Sequence, residues 1–148
     1  MTDPLPPSVH RIRLQGPWEW AVPHVVSTQA WTWNRVRLPD EWERLPAITG
    51  AVWFRRRFNT PTGITPTDRI RVAITTTQRP SEVFLSGRTL SALSPLGSEE
   101  TPVFRYEITS ALAERNLLEI VFSGGIHPPD LDGGMGRPVV LEIESLAK

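Results

Sequence analysis

The chain has 148 residues, no cysteine, and 16 basic against 16 acidic residues, which gives a formal net charge of zero at pH 7. This length suits one domain with its own core, and the lack of cysteine excludes disulfides, thiolate metal sites and a cysteine nucleophile. The balanced charge argues against nucleic acid as a partner. No stretch is apolar for long enough to span a membrane and no signal sequence is seen, so we expect a cytoplasmic location without membrane contact.

The N-terminal residues, 1–8, carry three prolines and predict a flexible leader, which leaves 9–148 as a single domain. Within that domain, apolar and polar residues alternate first over 9–15 and again over 18–20, with a Gly-Pro pair between the two runs. A period of two is expected of a strand with one buried face. Two short strands are therefore predicted at the start of the domain.

In the next extended segment, Trp31 and Trp33 share one phase of the alternation, whereas Val36 and Leu38 share the other. Such a change of phase within one strand is typical of an extra, inserted residue. The segment therefore predicts a β-bulge near Asn34.

The remaining strands are predicted from the same alternation, with turns rich in glycine and proline between them. They cover residues 51–58, 69–74, 83–85, 104–109, 116–122 and 139–144. In the first of these, Arg56 interrupts the buried face and is expected to be paired and partly buried, whereas Arg55 and Arg57 lie on the opposite face and are expected to form ion pairs. About eight short, mainly antiparallel strands in two sheets define an all-β sandwich or jelly roll.

Five of the six tryptophans lie in these predicted strands. Because a tryptophan hides a large apolar area inside a sandwich, we expect all five to pack in the core. They are Trp18, Trp20, Trp31, Trp33 and Trp53.

Six pieces of the sequence follow one another in the order of a known family. They are residues 16–20, 36–42, 52–58, 83–87, 104–118 and 134–141. Together they resemble the N-terminal sugar-binding domain of the glycoside hydrolases of family 2, which include β-galactosidases, β-glucuronidases and β-mannosidases. The resemblance implies a galactose-binding-like jelly-roll β-sandwich. Two positions depart from it, because Ser86 stands where the family has asparagine and Gly136 where it has an aromatic residue.

In that family the catalytic glutamates lie on a barrel that follows the sandwich, and the sequence ends before such a domain. The resemblance therefore implies no catalytic residue in this chain. Hydrolysis of a glycosidic bond needs two carboxyl groups held roughly 5 to 10 Å apart across the bond. Glu99 and Glu100 are adjacent in a polar loop that would not hold them so, and we expect them to be ordinary surface residues.

Candidate binding residues lie in two loops, where sandwich domains commonly carry their binding groups. Trp42 follows a Pro-Asp turn, and an exposed ring there would let a pyranose stack on it, with packing across the end of the sandwich as the alternative. The loop 123–137 is rich in glycine and proline and is expected to be exposed. Its candidate ligand-binding residues are His127, Asp130, Asp132 and Arg137.

Asp130 and Asp132 also make a structural calcium ion an alternative, because carboxylates are preferred calcium ligands, although the residues that follow lack EF-hand spacing. A zinc site would have to assemble His10, His24 and His127, which are far apart in the sequence. We therefore expect surface histidines and no other cofactor.

Two classes of function remain open, because this architecture hosts unrelated functions. The first is a non-catalytic carbohydrate-binding or accessory module. The second is a protein–protein interaction or structural sandwich, in which a sheet face or edge docks a partner protein or a second copy of the chain. A further alternative is a detached part of a glycoside hydrolase that is inactive alone.

Overall fold

The computed structural model describes residues 8–23, 31–93 and 101–145, and in this part of the chain eleven strands form two sheets. The strands are β1 (Ser8–Arg13), β2 (Gly16–Ala21), β3 (Asn34–Leu38), β4 (Val52–Asn59), β5 (Arg69–Thr75), β6 (Glu82–Leu85), β7 (Arg88–Thr89), β8 (Ala92–Leu93), β9 (Val103–Glu107), β10 (Arg115–Phe122) and β11 (Val139–Ser145). Two short 3₁₀ turns, Trp42–Arg44 and Thr109–Ala111, are the helical elements of the described residues. The prediction of an all-β fold is confirmed, with more strands than the eight expected, since two-residue strands such as β7 show no alternation.

The sheets are antiparallel throughout and pack face to face as a jelly-roll β-sandwich. One sheet has five strands in the order β1-β11-β5-β9-β8, and the other has six in the order β3-β2-β4-β10-β6-β7. Several pairs of strands that are consecutive in the chain, such as β4 and β5 or β10 and β11, lie in different sheets. The chain therefore crosses repeatedly between the layers, and both sheets contribute to a single core.

The core lies between the two inner faces and is built from alternate residues of each strand. In β5, for example, Ile70, Val72 and Ile74 are all buried, in the phase that the sequence predicts. Trp18 is 1% exposed, and its indole Nε1 donates a hydrogen bond to the carbonyl of Leu14 over 2.9 Å. The ring thereby buries its large apolar area without leaving its N–H unpaired.

Strand β3 contains no bulge. It pairs with β2 in an unbroken register, from Gly16 opposite Leu38 to Trp20 opposite Asn34. Val36 and Leu38 are buried in the core, whereas Arg35 and the two preceding tryptophans share the other phase. The prediction of a bulge near Asn34 is wrong because this segment carries large apolar side chains on both of its faces.

The arginines of β4 take the roles expected of them. Arg55 and Arg57 both form ion pairs with Glu19. Arg56 interrupts the inner face, is partly buried, and donates hydrogen bonds from Nε and Nη2 to the carbonyl of Gln15, over 3.2 and 2.8 Å. Burial lowers the pKa of Arg56 from its ordinary value. Its hydrogen-bond partners are thus the backbone carbonyls of Gln15 and Arg57 rather than a carboxylate.

Some predictions fall on residues that the structure does not describe. These are residues 1–7 of the predicted leader, His24, Glu99 and Glu100. Ser8, the last residue of that leader, is the first residue of β1. None of the helical elements in the described ranges is long and apolar enough to cross a membrane.

Candidate functional site

Trp42 lies inside the sandwich end rather than on its surface. Its ring is 1% exposed, packs 6.3 Å from the ring of Phe54 between centroids, and donates a hydrogen bond from Nε1 to the carbonyl of Asp130 over 3.0 Å. A Cβ added at Gly134 would lie 2.5 Å from Cη2 of Trp42, so the loop backbone touches the ring. Trp42 therefore packs across the end of the sandwich, which is the alternative expected for it, and does not offer an exposed ring on which a pyranose could stack.

The loop held by Trp42 brings together three of the other predicted site residues. Asp130 Oδ1 accepts a hydrogen bond from the backbone N–H of Asp132 over 3.0 Å, and Asp132 Oδ1 accepts one from Nε of Arg137 over 2.8 Å. Asp132 and Arg137 border an open cleft of about 470 Å³, together with Asp40. Trp42 also lines this cleft but is almost fully buried, so the cleft offers a ligand charged groups and little ring surface.

His127 is exposed and lies at a different cleft, which it lines together with Ile48 and Gln78. The structure therefore does not bring His127 to the cleft of Asp132 and Arg137. The two clefts have similar volumes, so volume alone does not favour one of them. The side chains that line each cleft decide what it can bind.

The calcium hypothesis for Asp130 and Asp132 gains no third carboxylate in the described part of the chain. Within residues 8–23, 31–93 and 101–145, no group of three histidine, aspartate or glutamate side chains is placed to hold a metal ion. Asp132 is already paired with Arg137, whose positive charge opposes the binding of a cation. The pair is instead suited to hydrogen bonding with a polar ligand.

A second candidate site lies on the face of the six-stranded sheet that points away from the core, which we call the outer face. Four partly exposed rings meet there, and we call them the outer aromatic cluster; they are Trp31, Trp33, Trp53 and Phe84. The rings of Trp53 and Phe84 are stacked, with centroids 5.5 Å apart and planes 5° apart. Trp31 meets Trp53 edge-on at 5.1 Å and lies 6.0 Å from Trp33.

These positions correct part of the core prediction. Trp18 is buried as expected, and Trp20 packs against the core while remaining partly exposed. Trp31, Trp33 and Trp53 are not in the core, and the prediction is wrong for them. They share strand phases with arginines, which face water, rather than with the buried valines and phenylalanines.

The cluster is built into the sheet rather than attached to it. In register with Trp53 on the outer face lie Ala21 in β2 and Val121 in β10. Both are buried, at 0% and 4% exposure, although they point away from the core. The part of the sheet beneath the rings is therefore shielded from water.

Charged side chains border the cluster in a row that crosses five adjacent strands. Residues paired in register along this row are Arg35, Glu19, Arg55, Glu119 and Phe84. Arg55 donates from Nε to Glu19 over 3.0 Å, and its guanidinium carbon lies 3.7 Å from the centroid of the Trp33 ring. This cation–π contact fixes the position of both side chains.

The outer face of the five-stranded sheet has a different character. Within the described residues, it carries no aromatic side chain, and ion pairs cross it from strand to strand. The pairs are Arg11–Glu142, Arg105–Glu142, Arg71–Glu107, Arg69–Glu107 and Arg71–Glu144. The two faces of the sandwich are therefore unlike, and in the described part of the chain only the six-stranded sheet combines rings with charges on its outer face.

The fold is a jelly-roll β-sandwich, and solved structures with a similar fold include parts of glycoside hydrolases. The chain is similar to part of a β-glucuronidase from Faecalibacterium prausnitzii, with a TM-score of 0.66 and 14% identity over 98% of this chain and 33% of that one. It is similar to part of a Bifidobacterium dentium β-glucuronidase complexed with coumarin-3-O-glucuronide, with a TM-score of 0.67 and 17% identity over 93% of this chain and 30% of that one. It is also similar to part of a family 2 β-galacturonidase from Eisenbergiella tayi bound to galacturonate, with a TM-score of 0.62 and 17% identity over 97% of this chain and 26% of that one.

The chain thus spans a third or less of the length of each of these structures. No protein-family model and no curated protein sequence matches it. At such low identity the likeness establishes the fold, which is the fold that the sequence resemblance implies. The ligand has to be argued from the side chains of this chain.

Proposed function

We propose that the protein is a non-catalytic accessory module that binds a carbohydrate on the outer aromatic cluster. The observation that carries this proposal is the stacked pair of Trp53 and Phe84 beside the charged row through Arg55. A pyranose ring presents an apolar face, which stacks on an aromatic ring, and hydroxyls, which need charged or polar partners at its edge. The cluster supplies both on one surface of the sheet.

The absence of catalysis is supported by the arrangement of the carboxylates on this face. Glu19 and Glu119 lie on either side of Arg55 in the sheet register, and the guanidinium of Arg55 forms an ion pair with Glu19. An acid–base pair needs two carboxyl groups that face each other across a bound glycosidic bond. Two carboxylates on a flat sheet with an arginine between them favour binding over hydrolysis.

The similar proteins favour a carbohydrate as the ligand class. One structure with this fold is described as complexed with a glucuronide and another as bound to galacturonate, although each is about three times as long as this chain or longer. The cleft of Asp132 and Arg137 is a second surface for such a ligand, since both side chains can bond to hydroxyls. We rank it second to the cluster because Trp42, the ring that lines it, is almost fully buried.

A protein partner is the alternative that the same surface supports. Tryptophan, phenylalanine and arginine are enriched at the centres of protein interfaces, where they supply most of the binding energy. A carbohydrate module would remain monomeric as its concentration rises, whereas a self-associating module would gain mass. Light scattering over a range of concentrations separates the two.

Titration of tryptophan fluorescence with a panel of oligosaccharides and polysaccharides tests the proposal directly. We expect one class of glycan to change the emission, and Trp53→Ala to abolish binding of that glycan measured by calorimetry. Arg137→Ala is the matched control at the loop cleft and should bind as the wild type does. If no glycan binds, or if Arg137→Ala loses binding while Trp53→Ala retains it, the cluster is not a carbohydrate site.

A further inference from the structure

We infer that the carbohydrate bound by the outer aromatic cluster is an anionic one, whose sugars carry carboxylate or sulfate groups. This inference rests on the proposed function and specifies the ligand class of the same site. It comes from the arginines of the outer face, some of which have no ion-pair partner among the described residues.

Arginines outnumber carboxylates on the outer face of the six-stranded sheet. Five arginines point outward against three glutamates, so this face of a chain with no net charge carries a charge of five minus three, or +2. The arginines are Arg35, Arg37, Arg55, Arg57 and Arg115, and the glutamates are Glu19, Glu82 and Glu119. By strand register, Arg35 and Arg55 lie in the row of Phe84 together with Glu19 and Glu119, whereas Arg37, Arg57 and Arg115 lie farther from the rings.

The pairing of these charges leaves positive groups for a ligand. Arg55 and Arg57 share one carboxylate, Glu19, over 3.0 and 3.4 Å. Arg35 and Arg37 are exposed on the edge strand β3 and have no ion-pair partner among the described residues. A guanidinium binds carboxylate or sulfate through two parallel hydrogen bonds, so these two side chains are suited to acidic substituents.

The five-stranded sheet is an internal comparison for this argument. Its outer face has the same nominal balance, with five arginines against three glutamates, but four of those arginines are paired with carboxylates of the same face. Arg13 is the fifth, and no ring lies near it on that face in the described residues. A positive surplus alone is therefore common to both faces. Among the described residues, what distinguishes the proposed site is an arginine without an ion-pair partner, Arg35, two residues from Trp33 on the face that carries the rings.

The order of residues along the charged row suits an extended ligand. Arg35 lies at one end of the row and Phe84 at the other, with four strand spacings between them, or about 19 Å. A short oligosaccharide lying along this row would stack one sugar on the rings of Trp53 and Phe84. Acidic groups on the sugars farther along would then meet Arg55 and Arg35.

Matched pairs of polymers that differ only in charge test this inference. The pairs are polygalacturonate with its fully methyl-esterified form, and dextran sulfate with dextran, measured by affinity electrophoresis and calorimetry. We expect the anionic member of at least one pair to bind at least tenfold more tightly than its neutral form. The first pair reports on carboxylate and the second on sulfate, so the two arms identify which group is recognised.

Variants of the chain separate recognition from general attraction between charges. Replacing both Arg35 and Arg37 with glutamine should weaken binding of the anionic polymer about tenfold, whereas Arg13→Gln on the opposite face should leave it unchanged. Trp53→Ala should abolish binding at the same ionic strength. Equal losses from Arg13→Gln and from the double variant, or binding that survives Trp53→Ala, would mean non-specific attraction and would overturn the inference.

The two proposals fail in different ways. If the neutral polymers bind as tightly as the anionic ones, the inference about charge is wrong and carbohydrate binding at the cluster stands. If neither member of either pair binds, and no glycan of the wider panel does, both are wrong.

Discussion

Single residues hold the loops of this sandwich in place, and Trp42 shows how. Its indole N–H bonds to the carbonyl of Asp130, and its ring fills the space beneath Gly134 and Gly136. One side chain therefore both packs the sandwich end and positions Asp132 and Arg137 at the cleft above it.

We expect Trp42→Ala to lower the free energy of unfolding by about 3 to 5 kcal/mol, the range for removing a large buried aromatic side chain. Trp42→Phe keeps much of the packing but loses the hydrogen bond, and should cost about 1 to 2 kcal/mol. Denaturation by urea measures both. A Trp42→Ala variant with an unchanged free energy of unfolding would contradict the role given to this ring. Trp20→Ala, which removes a partly exposed tryptophan, is the control.

Glu119 makes stability depend on pH. Burial raises the pKa of its carboxyl above the ordinary value, against the opposing effects of Arg55 and Arg57. The folded state therefore binds this proton more tightly than the unfolded chain does. The resulting stabilisation is fully present below the ordinary glutamate pKa and is lost as the pH rises through the raised, folded-state pKa.

Glu119→Gln, which cannot ionise, should thus resemble the wild type in acid and be the more stable protein at neutral pH. Urea denaturation between pH 4 and 8 would show the difference in unfolding free energy growing with pH and then levelling off. Glu82→Gln removes one carboxylate at an exposed position of the same face and should leave stability nearly unchanged. A Glu119→Gln variant that is less stable than the wild type at neutral pH would show that attraction to the arginines outweighs burial.

At the scale of elements, the hairpin of β6 and β7 is fixed by its two-residue turn. Ser86 and Gly87 have φ values of 49° and 83°, as a type I′ turn requires at both of its central positions. Asparagine adopts a positive φ more readily than serine does. Ser86→Asn should therefore stabilise the protein by roughly 0.5 kcal/mol, whereas Gly87→Ala should destabilise it by about 1 kcal/mol because its added Cβ is strained at that φ.

Thermal denaturation followed by circular dichroism measures both turn variants. The side chain of Ser86 also accepts a hydrogen bond from the backbone N–H of Leu117 over 3.3 Å, and the asparagine amide oxygen can replace it. A loss of stability in Ser86→Asn would show that this bond, rather than the backbone conformation, decides the preference at the turn.

The elements also show how far the sequence could predict the structure. The alternation identifies the inner rows of β5, β9 and β10 correctly, because one face of each is apolar and the other is charged or mixed. It fails at Trp53 and at Trp33, where both faces carry large apolar residues and hydrophobicity alone cannot say which face is inside. Trp53 and Trp33 share their strand faces with Arg55 and Arg35, and this could have indicated that the two tryptophans point outward, since charged residues seldom point into a core.

The candidate site was harder to predict than the fold for the same physical reason. Trp42 lies in a loop and looks exposed, but loop residues are buried when a second loop folds over them, as the loop of Asp130 does here. The cluster depends on contacts between β3, β4 and β6, which are far apart in the chain and meet through the sheet order alone. Periodicity within one strand carries no information about such contacts.

For the molecule as a whole, the shared core makes a prediction about folding. Buried residues of both sheets form one cluster, so neither sheet can keep its inner face dry without the other. We expect a single cooperative unfolding transition, with the same midpoint whether it is followed by far-ultraviolet circular dichroism or by tryptophan fluorescence. The fluorescence signal includes the outer aromatic cluster, so an earlier fluorescence transition would show that the cluster opens before the sandwich unfolds. Coincident curves would instead mean that the rings proposed to bind the ligand stay in place for as long as the core does, as a preformed binding surface requires.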